Sequence, residues 1–289
     1  MIDPKIKEKV VLITGANHGI GAATAIAFAA QGAKVFLTYF RESCEHTPAE
    51  LESAKELGVG GVLLYRANQQ QTSDAIVKEI KSSEGVVASH EIDLSIAENI
   101  PILFDRCEHD LGSVDILVNN HTYCALDTFD PAMSTTDGFG IHTITADDID
   151  VNCATNIRSY ALMMSEYIGR FIKRNASKGR IINISTDAAD AHETNVSYAA
   201  SKHAIESYSR SAAMEVGKYG ITVNIVAPGP IQTGYLKPDE ESSIASETPL
   251  RRIGRPEDVA DVILFLASEQ GHWLTGQLLY VGGGWKMHQ

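Results

Sequence analysis

Short apolar, β-branched runs alternate along this chain with longer stretches whose apolar residues recur every three or four positions. The runs are KVVLIT (9–14), AKVFLTYF (33–40), VVASHEIDL (86–94), VDILVNN (114–120), GRIINIS (179–185), GITVNIVAP (220–228) and GQLLYVGGG (276–284). Most are apolar nearly throughout, as strands are when helices cover both faces of a sheet. Helical patterns lie between them, including IGAATAIAFAAQG (20–32), IAENIPILFDRCEHDL (96–111), NIRSYALMMSEYIGRFIKRN (156–175) and PEDVADVILFLAS (256–268). Strands separated by helices predict a parallel sheet joined by right-handed crossovers. The expected fold class is α/β, a doubly wound parallel sheet with a ligand crevice at the carboxyl ends of its strands.

Two segments break the rhythm. Residues 42–70 are too long for a simple strand–helix joint, and residues 121–144 form a second irregular excursion. Both read as insertions into a single domain spanning 1–289. The 289 residues are many for one domain, but α/β folds often use that length.

Composition narrows the function. Hydrophobic residues make up 44%, enough for a core, and a net charge of −13 argues against non-specific nucleic-acid binding. No apolar run is long enough to span a bilayer, so no membrane partner is expected. The start, MIDPKIKEKVVLITG, passes from a charged lead straight into a strand, so no signal peptide is expected. Cys44, Cys107, Cys124 and Cys153 lack metal or redox spacing. They read as reduced thiols of a cytoplasmic protein that holds no metal.

The chemistry begins at TGANHGIG (14–21), between the first strand and the first helix. Gly15, Gly19 and Gly21 allow a sharp turn and a close ligand approach. Asn17, His18 and Ile20 lie between them, and the helix start behind offers N–H groups to a pyrophosphate. The second strand ends with Tyr39 where an acid would grip the 2′-hydroxyl of NAD, and Arg41 follows two residues on. An arginine there can pair with a 2′-phosphate, so NADP(H) is the preferred cofactor and NAD(H) the alternative. Asp93 and Leu94, and then Asn119 and Asn120, end the next two strands and are expected at the cofactor.

SYAASKHAIES (197–207) sets Tyr198 four residues ahead of Lys202, on one helix face. A cation about 4 Å from the phenol, at an effective dielectric of about 20, contributes roughly 4 kcal/mol. That equals about three pKa units, enough to bring a tyrosine toward neutrality as a general acid.

TGANHGIG, VDILVNN, NIS, YAASK and VAPGPIQT occur in the order and spacing of the short-chain dehydrogenase/reductases. The tail RIGRPEDVADVILFLASEQGHWLTGQLLYVGGG also resembles that family, most of all the branch containing the 3-oxoacyl-[acyl-carrier-protein] reductases. The resemblance implies a Rossmann fold. It also implies Tyr198 as proton donor, with Lys202 lowering its pKa and binding the nicotinamide ribose. The hydroxyl that holds the substrate oxygen falls on Thr186 by strand register, or on Ser185 by counting back from Tyr198. The asparagine that anchors a water leading to the lysine falls on Asn156, with Asn152 as the alternative. Pro228, Gly229, Ile231 and Thr233 would cover the nicotinamide. Two long helices, about 146–174 and 196–219, would pack a homotetramer or homodimer. His121 and Thr122 depart from the family's Ala-Gly, and Gly282 stands where an aspartate is common.

The substrate implied is a 3-oxoacyl thioester, with RFIKRNASKGR (170–180) a local basic patch for an acidic carrier. A small ketone, sugar or polyol is the alternative substrate. A dinucleotide-binding regulatory protein without catalysis is the alternative of another class, and the Tyr198/Lys202 pair argues against it.

Overall fold

The computed structural model describes residues 3–135 and 140–286. β1 (Val10–Thr14) leads into α1 (Gly19–Ala30), and β2 (Lys34–Tyr39) follows. Three short helices come next, α2 (Pro48–Leu57), α3 (Val62–Gln69) and α4 (Asp74–Ser82), and then β3 (Val86–Glu91). α5 (Asn99–Asp110) precedes β4 (Ile116–Asn119). The two-residue strands β5 (Asp127–Thr128) and β6 (His142–Thr143) lie in the excursion after it. α6 (Ala146–Asn152), a π-helical turn (Cys153–Arg158) and α7 (Ser159–Lys173) then run on continuously. β7 (Gly179–Ile184), α8 (Val196–Val216), β8 (Ile221–Pro228), α9 (Pro238–Glu247), α10 (Pro256–Ala267) and β9 (Leu278–Val281) complete the order.

Seven strands form one parallel sheet in the order β3-β2-β1-β4-β7-β8-β9. Each corresponds to one of the apolar runs. The chain builds outward from β1 to β3, then returns to place β4 on the other side of β1. The strand order therefore reverses between β1 and β4, where a doubly wound sheet opens its crevice.

Period-two alternation sorts the core into two layers. Val11, Ile13, Val35 and Leu37 face Phe28 of α1 and Val259, Ile263 and Leu266 of α10. Leu12, Phe36 and Leu117 face Phe104 of α5, and Met163, Tyr167 and Phe171 of α7. Burying each such side chain stabilises the fold by about 1.5–3 kcal/mol, which explains why the sheet is anchored on both faces.

Residues 42–70 are not an irregular joint. Thr47 caps α2, accepting from Glu50 N while the Glu50 carboxylate accepts from Thr47 N at 2.8 Å, with Pro48 at the first helical position. Gly58, at φ +62°, ends that helix, and α3 follows after Gly61. The 121–144 excursion holds the β5–β6 pair; its residues 136–139 lie outside those described.

Candidate active site

An elongated cleft runs along the carboxyl ends of the strands, from β2 and β3 past β1 and β4 to α8. At its centre the glycine loop turns tightly. Gly15 sits at φ +62°, and a Cβ there would come within 2.8 Å of His121 Cα. A Cβ on Gly21 would overlap Gly15 O, so this residue serves the packing of α1 against its own loop and does not line the cleft. Gly19 at φ +55° brings the start of α1 to the cleft wall beside Thr233. A glycine cradle at a helix start fits the diphosphate of a dinucleotide. Desolvation lowers the His18 pKa to about 4, so its ring is neutral at pH 7.

Three of the expected cofactor residues do not border the cleft. Arg41 does not line the cleft: its Nη2 and Nε grip the Glu91 carboxylate at 2.7 and 3.0 Å, on the neighbouring strand β3. Asn119 is fully buried and donates to Asn183 Oδ1 at 2.8 Å, inside the sheet layer. Gly21 is the third, as above. The other expected cofactor residues do border the cleft: Gly15, Asn17, His18, Gly19, Ile20, Tyr39, Asp93, Leu94, Asn120, Pro228, Gly229, Ile231 and Thr233. Asn120 also donates to Thr14 O and Gly15 O at 3.1 and 2.8 Å, holding the glycine loop in place.

At the other end, α8 presents Tyr198 and Lys202 one turn apart, with Lys202 Nζ 5.6 Å from the Tyr198 ring centroid. Lys202 is 1% exposed and donates to Ile184 O at 3.0 Å and to Tyr160 Oη at 3.5 Å. Burial pulls its pKa down to about 7. Burial pushes the Tyr198 phenol well above its usual 10. Spacing alone predicts a phenol pKa lowered toward neutrality by the neighbouring amine. In the folded chain desolvation raises it instead, and the tyrosine is held protonated.

The two hydroxyl candidates are distinct. Ser185 is buried and donates to Glu206 Oε1 on α8 at 2.7 Å. Thr186 has only 3.4 Å contacts, to Asp187 Oδ1 and Ala188 N. Both border the cleft with Tyr198 and Lys202. The asparagines also differ. Asn156, fully buried in the π-helical turn, has its Nδ2 2.9 Å from each of Tyr123 O, Asn152 Oδ1 and Ser201 Oγ, which share its two N–H bonds. Its Oδ1 accepts from Tyr123 N at 2.8 Å. Asn152 donates to Asp148 O, one helical turn back. Asn156 therefore ties α8 to the base of the excursion, in the kind of helix distortion that recurs at functional sites.

His121, the departure from Ala-Gly, acts as a strut. Its Nδ1 lies 2.7 Å from Thr14 Oγ1 and its Nε2 2.7 Å from Ser159 Oγ, with the ring against Tyr160. Ser159 donates to Thr155 O, so Nε2 carries the proton and Nδ1 accepts. Burial lowers the His121 pKa to about 3. The excursion also reaches the site at Asp127, whose carboxylate accepts from Ser197 N at 3.1 and 3.2 Å and caps the start of α8. Sequence reasoning missed Tyr160 beside Lys202 and the cleft-lining Tyr65, Arg66, Gln69 and Gln70 of the 42–70 segment. Among the described residues no group of three or more His, Cys, Asp or Glu side chains could hold a metal.

Comparison with known proteins agrees with this architecture. Residues 51–286 match the family described as enoyl-(acyl carrier protein) reductase, and residues 9–62 match the short chain dehydrogenase family. The chain is 32% identical over 292 residues to the glucose and ribitol dehydrogenase homolog of Oryza sativa subsp. japonica, covering 97% of this chain and 86% of that protein. A 7 alpha-hydroxysteroid dehydrogenase complexed with NADH and 7-oxo glycochenodeoxycholic acid superposes with a TM-score of 0.77 at 28% identity, covering 98% and 96% of the two chains. A blue fluorescent protein from a metagenomic library, in complex with NADPH, superposes with a TM-score of 0.75 at 28% identity over 98% and 99%. This chain belongs to the short-chain dehydrogenase/reductase family.

Proposed function

We propose that this protein interconverts a ketone and a secondary alcohol with a nicotinamide dinucleotide. One observation carries the reading: Tyr198 and Lys202 stand together on α8 and, with Thr186, line the same cleft as the glycine loop. When bound, the dinucleotide supplies or accepts the hydride.

This chain's residues do the rest. Tyr198 and Thr186 donate hydrogen bonds to the carbonyl oxygen, and Tyr198 passes its proton to that oxygen. Thr186 suits the role because its hydroxyl is not spent on a short internal bond, whereas Ser185 is held by Glu206. Lys202, with a pKa lowered to about 7, exchanges its proton near neutrality and recharges the tyrosine. Asn156 holds the π-helical turn and α8 in register.

The cofactor reading stays NADP(H) first and NAD(H) second. A 2′-phosphate at Arg41 would compete with Glu91 for one guanidinium. The first substrate to test is a 3-oxoacyl thioester. A small ketone, sugar or polyol is the second reading, and the surface favours it. In the 170–180 patch Arg170 is paired with Glu166, Asp105 and Glu108. Arg174 is paired with Asp115 and Lys178 with Glu269, which leaves little positive charge for an acidic carrier. A homodimer or homotetramer through α7 and α8 is supported by exposed Leu162, Tyr208 and Met214 on those helices. A panel of 3-oxoacyl thioesters, small ketones and polyols with NADPH and NADH tests the proposal. Turnover of a ketone or alcohol supports it, and turnover of none points to the non-catalytic binding protein.

A further inference from the structure

The 42–70 segment roofs the cleft. α3 and its flanks are stitched to both banks, mostly by side-chain amides that donate to main-chain carbonyls. On the glycine-loop side, Asn17 Nδ2 donates to Gln69 O and Gln71 O at 3.1 and 2.9 Å, and Gln71 Nε2 donates back to Asn17 O at 3.0 Å. On the opposite bank, Gly61 N donates to Gly234 O at 2.9 Å and Asn68 Nδ2 to Thr233 O at 3.2 Å. Tyr65 spans the gap, its ring edge-on to His18 at 6.0 Å and to Tyr235 at 5.5 Å. A Cβ on Gly60 would overlap Leu236 O, so the approach of this segment is fixed at the backbone.

We propose that Arg66 of α3 contacts the phosphate groups of the bound dinucleotide from this roof. The inference rests on reading the cleft as a dinucleotide site. Arg66 is half-buried, borders the cleft, and donates to Gln69 Oε1 at 2.9 Å. Gln69 is the residue whose carbonyl Asn17 holds, so the guanidinium is carried by the helix that grips the glycine loop. Among the described residues lining the cleft, the basic side chains are Arg66, Lys202, His18 and His121. Both histidines are neutral at pH 7, and Lys202 is turned toward Ile184 O at the far end. Arg41 is drawn away to Glu91. A ligand with two or three phosphate groups therefore meets one permanent cation on this wall, and it is the type whose planar fork pairs with phosphate. The competing role for Arg66 is neutralising Glu42, whose carboxyl burial pushes upward and the Arg66 charge pulls back.

Equilibrium titration of the full chain with NADPH, NADH and adenosine decides between them, comparing wild type with Arg66→Ala, Arg66→Lys and Arg41→Ala. The proposal expects Arg66→Ala to weaken dinucleotide binding by at least about tenfold, the loss of one charge-assisted contact. Adenosine binding should be unchanged, Arg66→Lys intermediate, and Arg41→Ala close to wild type for NADH. Equal losses for NADH and NADPH assign the contact to the diphosphate, and a loss confined to NADPH assigns it to the 2′-phosphate. Dinucleotide affinities within twofold of wild type in both Arg66 variants overturn the proposal. So does a parallel loss of adenosine binding, which marks a displaced roof. A wild-type chain that binds neither dinucleotide overturns the underlying reading of the cleft.

Discussion

Replacing His121 by alanine probes the strut that stands where the family has Ala-Gly. The change removes two side-chain hydrogen bonds of 2.7 Å, to Thr14 and Ser159, and an aromatic contact with Tyr160 at 4.7 Å between centroids. At about 1 kcal/mol net for each bond and about 1 for the ring contact, the loss is about 3 kcal/mol at pH 7. That advantage of the wild type depends on pH. The buried imidazole takes a proton only near pH 3, whereas the unfolded chain takes one below about 6.5. Between those values the unfolded state binds more protons, so wild-type stability falls with falling pH by up to about 1.4 kcal/mol per unit. The difference between wild type and His121→Ala should shrink to about 1 kcal/mol at pH 5 and vanish at about pH 4.2. His18 titrates alike in both proteins and cancels in the difference. Urea unfolding at pH 7, 6 and 5, with m-values compared, measures it. A difference that stays constant over that range, or that falls below 1 kcal/mol at pH 7, refutes the reasoning.

Other changes read separate parts of the structure. Gly21→Ala drives a methyl into Gly15 O and should cost about 1–3 kcal/mol while weakening dinucleotide binding; a neutral thermal melt would contradict the packing role. Thr186→Ala should lower kcat by about 100-fold with modest loss of stability, as expected for a donor to the substrate oxygen. Ser185→Ala should instead cost about 1–3 kcal/mol of stability, because the buried Glu206 loses its 2.7 Å donor. The opposite pattern would exchange the two roles. Asp258 is held down to about 2, first by Arg252 and also by the Arg255 N–H at the start of α10. Its depressed pKa contributes stability above about pH 4 that is lost as pH falls toward 2. Discounted for solvent screening, Asp258→Asn should cost about 1 kcal/mol at pH 7 and nothing near pH 2, by urea unfolding at the two extremes.

The inner strands β1, β2, β4, β7 and β8 were legible because burial on both faces leaves nearly continuous apolar runs. Other features depended on signals that the runs do not carry. α2 and α3 bury little apolar surface, so their periodicity is weak, although Thr47-Pro48, Glu50 and Gly58 mark the ends of α2 locally. Asn119 was readable in principle. It shares a strand face with Leu117, which points into the layer under α7, so period-two alternation turns it away from the cleft. Arg41 was not readable, because its partner Glu91 is brought alongside by the β2–β3 register, 50 residues away in sequence. The Tyr198 and Lys202 pKa directions are set first by desolvation of the two side chains, which spacing alone does not reveal.

The account stands or falls on Tyr198 as the proton donor at a ketone oxygen beside a bound dinucleotide. Steady-state NADPH or NADH oxidation with a ketone that the wild type turns over, measured beside dinucleotide affinity for Tyr198→Phe, addresses it directly. The account predicts that the variant binds the dinucleotide within about twofold of wild type and turns over at least about 100-fold more slowly. A Tyr198→Phe variant with wild-type kcat would contradict it.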